Sequence, residues 1–565
     1  MMDRLKIHRI ALCVALFIGV CTAAPAIIAP LSLSNGYEGI QFMPLDNEES
    51  YRARIHEVLD GHFSVAQPYL YEYKNAPVAV VPINEWLYAL PAFLFGISTI
   101  VIVSKFLLPA ALFFLAYLLV RRVTGDELTA IAGGLLAFFS VEFVDYGYLF
   151  SLMRGASPRP LLWTRLVNPI VGGVEVFAFL NLVWLVISRN SRYAHLVAAA
   201  VLALSVGYYF SFGFCVAMLG LLILSYVYRR EMDIVQKLIT TGVCALILSA
   251  PYWYVTLYAI TSKEAAMRSG MFFTHAPVLN KALFLASIVA TIAFVYARRV
   301  RLDTTPWIFS ASLIGAGWIV FNEQVLTGRE IWHHHFVQYA TPTAALAALY
   351  AVYAALHEVS QRAWRIAMYV LITFCLLFGL YSITHIFPRL ASFRHLQSFA
   401  PVTMWLDAHA IKDCVVLVRE EGEDLERYIP AYSHCDVYMT GYAFGSVPRE
   451  RLVHNFFVHM WLSGVTARSV EDYLRAHESD LRSVFYEDWN QALMNAPVPW
   501  LPQMQTDLAA GYRAFLTSDI EHEIQKYRID YIISDGILPT TILHALPHLE
   551  EIDTVGTFYT YSFRE

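Results

Sequence analysis

Leu107-Leu108-Pro109-Ala110-Ala111-Leu112-Phe113-Phe114-Leu115-Ala116-Tyr117-Leu118-Leu119-Val120-Arg121-Arg122 is an apolar run that begins near residue 98 and stops at paired arginines. Lipid offers no hydrogen-bond partner to a peptide group, so a segment that crosses a bilayer must satisfy its own backbone, and about 20 apolar residues of helix do so. The run meets that length. Its arginines resist translocation and mark a cytoplasmic end. The whole chain has the same character: of 565 residues, 57% are apolar and 15% charged, well below the roughly 25% charge of an average globular protein.

About eleven runs of this kind are legible, over 9–31, 98–120, 128–149, 171–188, 194–209, 211–228, 236–258, 281–297, 305–321, 338–357 and 366–387. The fifth and sixth are barely separated, because Ser205 to Phe214 is rich in Gly and Tyr, and they also read as one broken helix pair. Basic clusters fall on alternate loops: Arg4, Lys6 and Arg9; Arg121 and Arg122; Arg189 and Arg192; Arg229 and Arg230; Arg298, Arg299 and Arg301; Arg362 and Arg365. That parity predicts a cytoplasmic amino terminus and an extracytoplasmic carboxyl terminus. The basic start, the apolar stretch and Ala23-Ala24-Pro25-Ala26 also describe a secretory leader, but the stretch continues to Leu31, longer than a usual leader core, and reads as a retained span.

The expected fold class is therefore a membrane all-α bundle of about eleven transmembrane helices, with a transmembrane domain over 1–390 that includes a first extracytoplasmic loop at 32–97, and an extracytoplasmic α/β domain over 391–565. In the tail, Cys414 to Val418, Cys435 to Met439, Asp530 to Ser534 and Thr557 to Phe563 read as strands, and 467–485 and 518–528 as helices. A net charge of −6 gives no basic field for nucleic acid. Of seven cysteines, Cys13, Cys21, Cys215, Cys244 and Cys375 sit in apolar runs. Cys414 and Cys435 begin consecutive strands on the expected oxidising side, where a disulfide between them is possible.

The first loop holds the densest chemistry. Asp46, Asn47, Glu48 and Glu49 precede Tyr51-Arg52-Ala53-Arg54-Ile55-His56-Glu57-Val58, an amphipathic helix whose Ile55, Val58 and Leu59 form a face able to lie on a membrane. Asn47 or Ser50 can cap that helix, and the acids suit its positive end. A carboxylate at the membrane surface is also partly desolvated and becomes a better base. The segment 82–96, with Glu85, Trp86 and Pro91, reads as an interfacial or re-entrant helix.

Further along, Glu142 and Asp145 are spaced to share a helical face and could hold a divalent cation such as Mg2+ or Mn2+, although such ions take more oxygen ligands than this pair supplies. Arg154, Arg159 and Arg165 in a second outer loop, and Arg329 with His333, His334 and His335 in a later one, run against the charge bias. Their use there would be to bind a lipid-linked phosphate, which guanidinium grips with two hydrogen bonds. Each alone also reads as a surface ion pair or a lipid headgroup contact. Consecutive histidines on a helix point about 100° apart, so one of the three can face a site while its neighbours do not. No P-loop, HExxH, GxSxG or kinase signature is present.

The acidic first loop ending in Asp60-Gly61-His62, with Arg165-Leu166-Val167-Asn168-Pro169 and the segment Asn322 to His335, resembles the integral-membrane GT-C glycosyltransferases, among them bacterial relatives of protein O-mannosyltransferase and the lipid A aminoarabinose transferase. The resemblance covers roughly residues 1–390. It implies transfer of a sugar from a polyprenyl-phosphate donor to a lipid, glycan or protein acceptor on the extracytoplasmic face of a bacterial cytoplasmic membrane. A first-loop acid, Asp46 or its rival Glu48, would be the base or a metal contact. No adjacent Asp-Glu pair is present, and the tail lacks the WWD signature of the oligosaccharyltransferase branch. A transporter or flippase for a lipid-linked substrate, or a noncatalytic envelope scaffold, are the other classes the pattern admits.

Overall fold

The computed structural model describes residues 7–76, 78, 80–189, 191–259, 261, 271–297, 304–357, 360–419, 424–440, 447–486, 491 and 497–563. Among these, the apolar runs fold into helices: α1 (Arg9–Leu33), α4 (Ile97–Thr124), α5 (Glu127–Val144), α7 (Ile170–Arg189), α8 (Ala194–Leu204), α9 (Tyr209–Tyr228), α10 (Met232–Leu248), α11 (Ala250–Ala259), α12 (Lys281–Ala297), α13 (Thr304–Val320), α14 (Val337–Leu356) and α15 (Gln361–Ser382). Between them lie α2 (Glu48–Leu59) and α3 (Ile83–Phe95) in the first loop and α6 (Tyr146–Met153) in the second.

The count differs from eleven. Eight helical segments among the described residues, those containing α1, α4, α5, α7, α9, α13, α14 and α15, are long and apolar enough to cross a membrane. The run at 236–258 is a bent pair: α10 and α11 meet at 57°. Pro251, in the first turn of α11, lacks an amide donor and its ring clashes with the carbonyl four residues back, so the helix breaks there. The segments Ala194–Gly207 and Lys281–Tyr296 are apolar but shorter. After α8 the chain tightens into a 3-10 turn at Ser205–Gly207 and then extends at Tyr208 (φ −143, ψ 105). Glycine is required in that turn, because a Cβ on Gly207 would stand 2.8 Å from Asn84 Oδ1.

α4 fixes the two ends of the bundle. Its start, at Ser98, is bonded by Gln41 and Arg52 of the first loop, and near its end Arg122 donates to Asn181 Oδ1 at 2.6 Å. At that second end Tyr353 reaches Thr124 O, and Trp364 reaches Thr129 Oγ1 at 2.8 Å, so the loops carrying Arg121–Arg122 and Arg362–Arg365 lie together. Arg4, Lys6, Arg298, Arg299 and Arg301 lie outside the described residues.

At the first end sits a small sheet domain. β3 (Val415–Arg419) pairs in parallel with β4 (Asp436–Val437) and β5 (Tyr531–Ser534), and β7 (Phe558–Phe563) joins β5 and β6 (Leu549–Val555) antiparallel, in the order β4-β3-β5-β7-β6. Side chains alternate across the strands as period two requires. Val415, Leu417 and Ile532 join one core with α18 (Arg449–Leu462) and α19 (Leu501–Thr517). Val416 and Ile533 join another with α16 (Ala400–His409) and α17 (Leu425–Tyr432). The 518–528 helix shortens to Ile520–Ile524, and 467–485 divides into Val470–Ala476 and Glu478–Phe485. β6, which begins Leu-Glu-Glu, had too little alternation to be read as a strand. A second sheet pairs β1 (Met271–Phe273) with β2 (Arg329–Ile331).

The first loop is the mortar between bundle and domain. The face of α2 read as membrane-lying is instead buried: Ile55 and Val58 are 1% and 8% exposed, inside the bundle's core. α2 packs on α3 on one side and on α17 on the other. Buried Arg52 donates from Nε to Ala431 O (2.9 Å) and from Nη1 to Gln41 Oε1 (2.7 Å), and stacks 4.0 Å from the Tyr432 ring centre. Lys74, 2% exposed, bridges Glu57 (3.0 Å), Asp413 (2.7 Å) and Asp436 (3.1 Å). Those acids outweigh the cost of burying the ammonium and hold Lys74 above its ordinary range. Cys414 and Cys435 form a disulfide alongside, tying β3 to the start of β4.

Candidate functional site

The two first-loop acids lie two residues apart in opposite surroundings. Asp46 is exposed in the turn before α2. Glu48, the first residue of α2, is fully buried. Its Oε1 takes Lys105 Nζ at 2.5 Å and the Leu166 amide at 3.0 Å, while Oε2 takes the Leu45 amide at 3.2 Å. Three of the roughly four acceptor sites of this carboxylate are committed to an ammonium and two amides, and none of it is exposed. Asn47, with φ 63, occupies the capping position without a side-chain bond, and Ser50 lies inside the helix.

The Leu166 amide belongs to the loop that carries Arg165, and that loop is fixed from three directions. Glu142 Oε1 accepts from the Leu162 amide (3.2 Å), and Trp163 Nε1 donates to Phe138 O (2.9 Å), both from α5. From α3, Asn84 Nδ2 donates to Asn168 Oδ1 at 2.8 Å. Glu48 holds it from α2. The guanidinium so placed lies 5.5 Å from the Tyr51 ring centre. Among the described residues Arg165 forms no ion pair, and its Nε is buried without a hydrogen-bond partner. A half-buried cation with an idle donor is a stable arrangement when an anion completes it.

His335 comes to the same place. It stacks on Phe210 with ring centres 4.6 Å apart, and its Nδ1 lies 2.5 Å from the Tyr208 hydroxyl at the break between α8 and α9. Its neighbours point elsewhere, as their spacing requires: His333 pairs with Glu330, and His334 is exposed beside it. Tyr51, Tyr208, His335 and Arg165 thus converge where α2, the second loop and the α8–α9 break meet, with the Arg54–Glu85 ion pair (2.6 Å) joining α2 to α3 nearby.

The other residues singled out in the sequence do not join them. Arg159 is exposed, pairs with Asp145 Oδ2 at 3.0 Å and stacks on Tyr148. Arg154 is exposed at the end of α6, and Arg329 is exposed at the start of β2. Glu142 and Asp145 do not share a helical face: α5 ends at Val144, and Asp145 leaves it to cap α6 through the Tyr148 amide at 2.9 Å. Among the described residues these two acids are not part of any group of three metal-ligating side chains.

Lys105, Tyr208 and Asn84 were missed. A lysine in the middle of an apolar run is expensive in lipid unless paired, so Lys105 carried a readable signal for a buried acid partner. The tyrosine and the asparagine carried none. Apart from this cluster, a cleft of about 670 Å³ opens where β3 and β5 end, between Arg419, Asp535, Met439 and His459. Carboxyl ends of parallel strands are where open α/β sheets place ligands. No family model matches the chain, and no curated protein matches it.

Proposed function

We propose that the chain is a GT-C-type glycosyltransferase of a bacterial cytoplasmic membrane, transferring a sugar from a polyprenyl-phosphate donor to an acceptor hydroxyl on the extracytoplasmic face. The observation that carries the reading is Arg165: a pre-positioned guanidinium beside His335, without an acidic partner among the described residues, held by the same Glu48 that anchors the first-loop helix. In this reading the bent pair α10–α11 and the two shorter apolar helices also span, which places the termini on opposite sides and the basic loops in the cytoplasm. The exposed apolar side of α3, at Leu90, Phe93 and Leu94, then rests in the outer interface and admits the polyprenyl tail.

Asp46 takes the proton of the acceptor hydroxyl as its oxygen attacks the anomeric carbon. The bond from that carbon to the phosphate oxygen breaks, its electron pair leaves with the phosphate, and configuration inverts. Arg165 and His335 meet charge that grows as the bond breaks, so their interaction is stronger in the transition state than in the ground state. The cleft at the strand ends of the sheet domain would hold a lipid, glycan or protein acceptor.

Radiolabelled transfer by the detergent-purified protein, supplied with polyprenyl-phosphate sugar, tests the reading. Transfer without a second compartment separates an enzyme from a transporter or scaffold. Asp46→Asn should abolish turnover while leaving thermal unfolding unchanged; undiminished turnover removes Asp46 from its role.

A further inference from the structure

His56, in the last turn of α2, and Asp60, the residue that caps its end, stand one turn apart, and across the junction they face His434, next to the disulfide, and Asp407, near the end of α16. His434 Nδ1 lies 2.7 Å from Asp60 Oδ1, and its Nε2 lies 3.3 Å from Asp407 Oδ1. His56 Nδ1 is 3.6 Å from Asp60 Oδ2, and the two imidazoles stack with centres 4.9 Å apart. One ligand atom from each of His56, Asp407 and His434 lies within 4.8 Å of the others, the sole such group among the described residues. The nearby cation Lys412 is turned to the Asp60 backbone carbonyl.

Asp60 fixes the chemistry of His434. By accepting the Nδ1 proton it leaves the Nε2 lone pair aimed at Asp407, so two electron-rich atoms face each other. Only a proton or a metal ion reconciles them. Tetrahedral zinc, with bonds of about 2.0–2.1 Å, sets its ligand atoms about 3.3 Å apart, which is the spacing of Nε2 and Oδ1. An outer carboxylate on the far nitrogen of a ligating histidine is the usual support of such a site. Imidazole donors favour zinc over magnesium or calcium.

We propose that His56, Asp407 and His434 bind one Zn2+ ion, with Asp60 orienting His434, and that the ion clips the first-loop helix to the sheet domain. Three protein ligands leave one coordination position for water. The site is reachable, since the Asp407 and His434 side chains are 47% and 41% exposed. This site is independent of the donor-phosphate reading above.

The test is zinc binding by the full-length protein in detergent after chelator treatment, read by competition with a chromophoric chelator. One Zn2+ per chain is expected, with Zn2+ raising the unfolding temperature. Asp407→Asn and His434→Gln should each weaken binding by about 100-fold or more, and Asp60→Asn by about 10–100-fold. Co2+ should give the visible absorption of a four-coordinate site in the wild type and lose it in Asp407→Asn. Because Asp407 is surface-exposed, equal metal-free melting of wild type and Asp407→Asn controls for folding. If the wild type binds zinc no more tightly than the Asp407→Asn/His434→Gln double variant, the proposal is overturned and the group is closed by a proton on His434.

Discussion

Lys105 and Glu48, 57 residues apart in sequence, form an ion pair of 2.5 Å in which both side chains are buried. The contact joins a helix long enough to span a membrane to the first residue of the loop helix, and through Leu166 it reaches the Arg165 loop. Breaking a buried pair from one side leaves a charge stranded, at a cost of about 3–5 kcal/mol. Glu48→Gln should therefore lower thermal stability in detergent markedly, and adding Lys105→Met should restore much of it. A full double-mutant cycle measures the coupling. A Glu48→Gln protein that melts like wild type but is inactive would return the catalytic base to Glu48.

Arg165 offers the opposite profile. It forms no ion pair among the described residues, and its contact with the Tyr51 ring is worth about 0.5–1 kcal/mol. Arg165→Gln should barely shift melting, yet losing one donor to a developing oxyanion costs about 10²–10³ in turnover. A polyprenyl monophosphate should raise the melting temperature of the wild type and leave Arg165→Gln unchanged. Equal stabilisation of both would place the phosphate elsewhere.

The helices were readable because lipid imposes one rule on every span, and the strands of Val415–Arg419 and Tyr531–Ser534 because both of their faces are buried. Site geometry was readable only where chemistry and spacing coincide. The triple histidine had to divide its side chains by the angle between residues, and it does so at His335. Glu142 and Asp145 failed because their shared face assumed an unbroken helix, whereas the apolar run continues past Val144 while Asp145 leaves the helix to cap α6. The α2 face at Ile55 and Val58 has the pattern of a membrane-lying helix, and only the tertiary packing that brings it into the bundle's core beside Tyr88 and Ala89 of α3 decides what covers it. Asp46 and Glu48 look equivalent in sequence, and their difference is created by Lys105 and Leu166, distant partners that no local pattern specifies.

The Cys414–Cys435 disulfide closes a loop with a sequence separation of 21. Loop-closure entropy for that length corresponds to about 3 kcal/mol. Replacing both by Ser should destabilise the sheet domain by that order and loosen the start of β4, where Asp436 meets Lys74. Thiol counting provides the direct check: five free thiols in the denatured, unreduced protein and seven after reduction. A count unchanged by reduction would remove the bridge.

His454 gives the sheet domain a pH dependence. Tyr438 donates its hydroxyl proton to Ile524 O at 2.7 Å, so at 2.8 Å the His454 Nε2 must be the donor to Tyr438. Burial, reinforced by the nearby charges of Arg451 and Lys526, pushes its pKa down to about 3. The unfolded chain, with an ordinary histidine, binds the proton more readily. This contribution to stability is therefore complete above about pH 6.5 and is lost as pH falls toward the folded value, amounting to about 2 kcal/mol by pH 5. His454→Gln keeps an N–H donor for Tyr438 and cannot titrate in this range. The stability difference between wild type and this variant, measured by denaturant unfolding, should move against the wild type by that amount between pH 7 and pH 5. A difference independent of pH would mean that His454 is already solvated or charged in the folded domain.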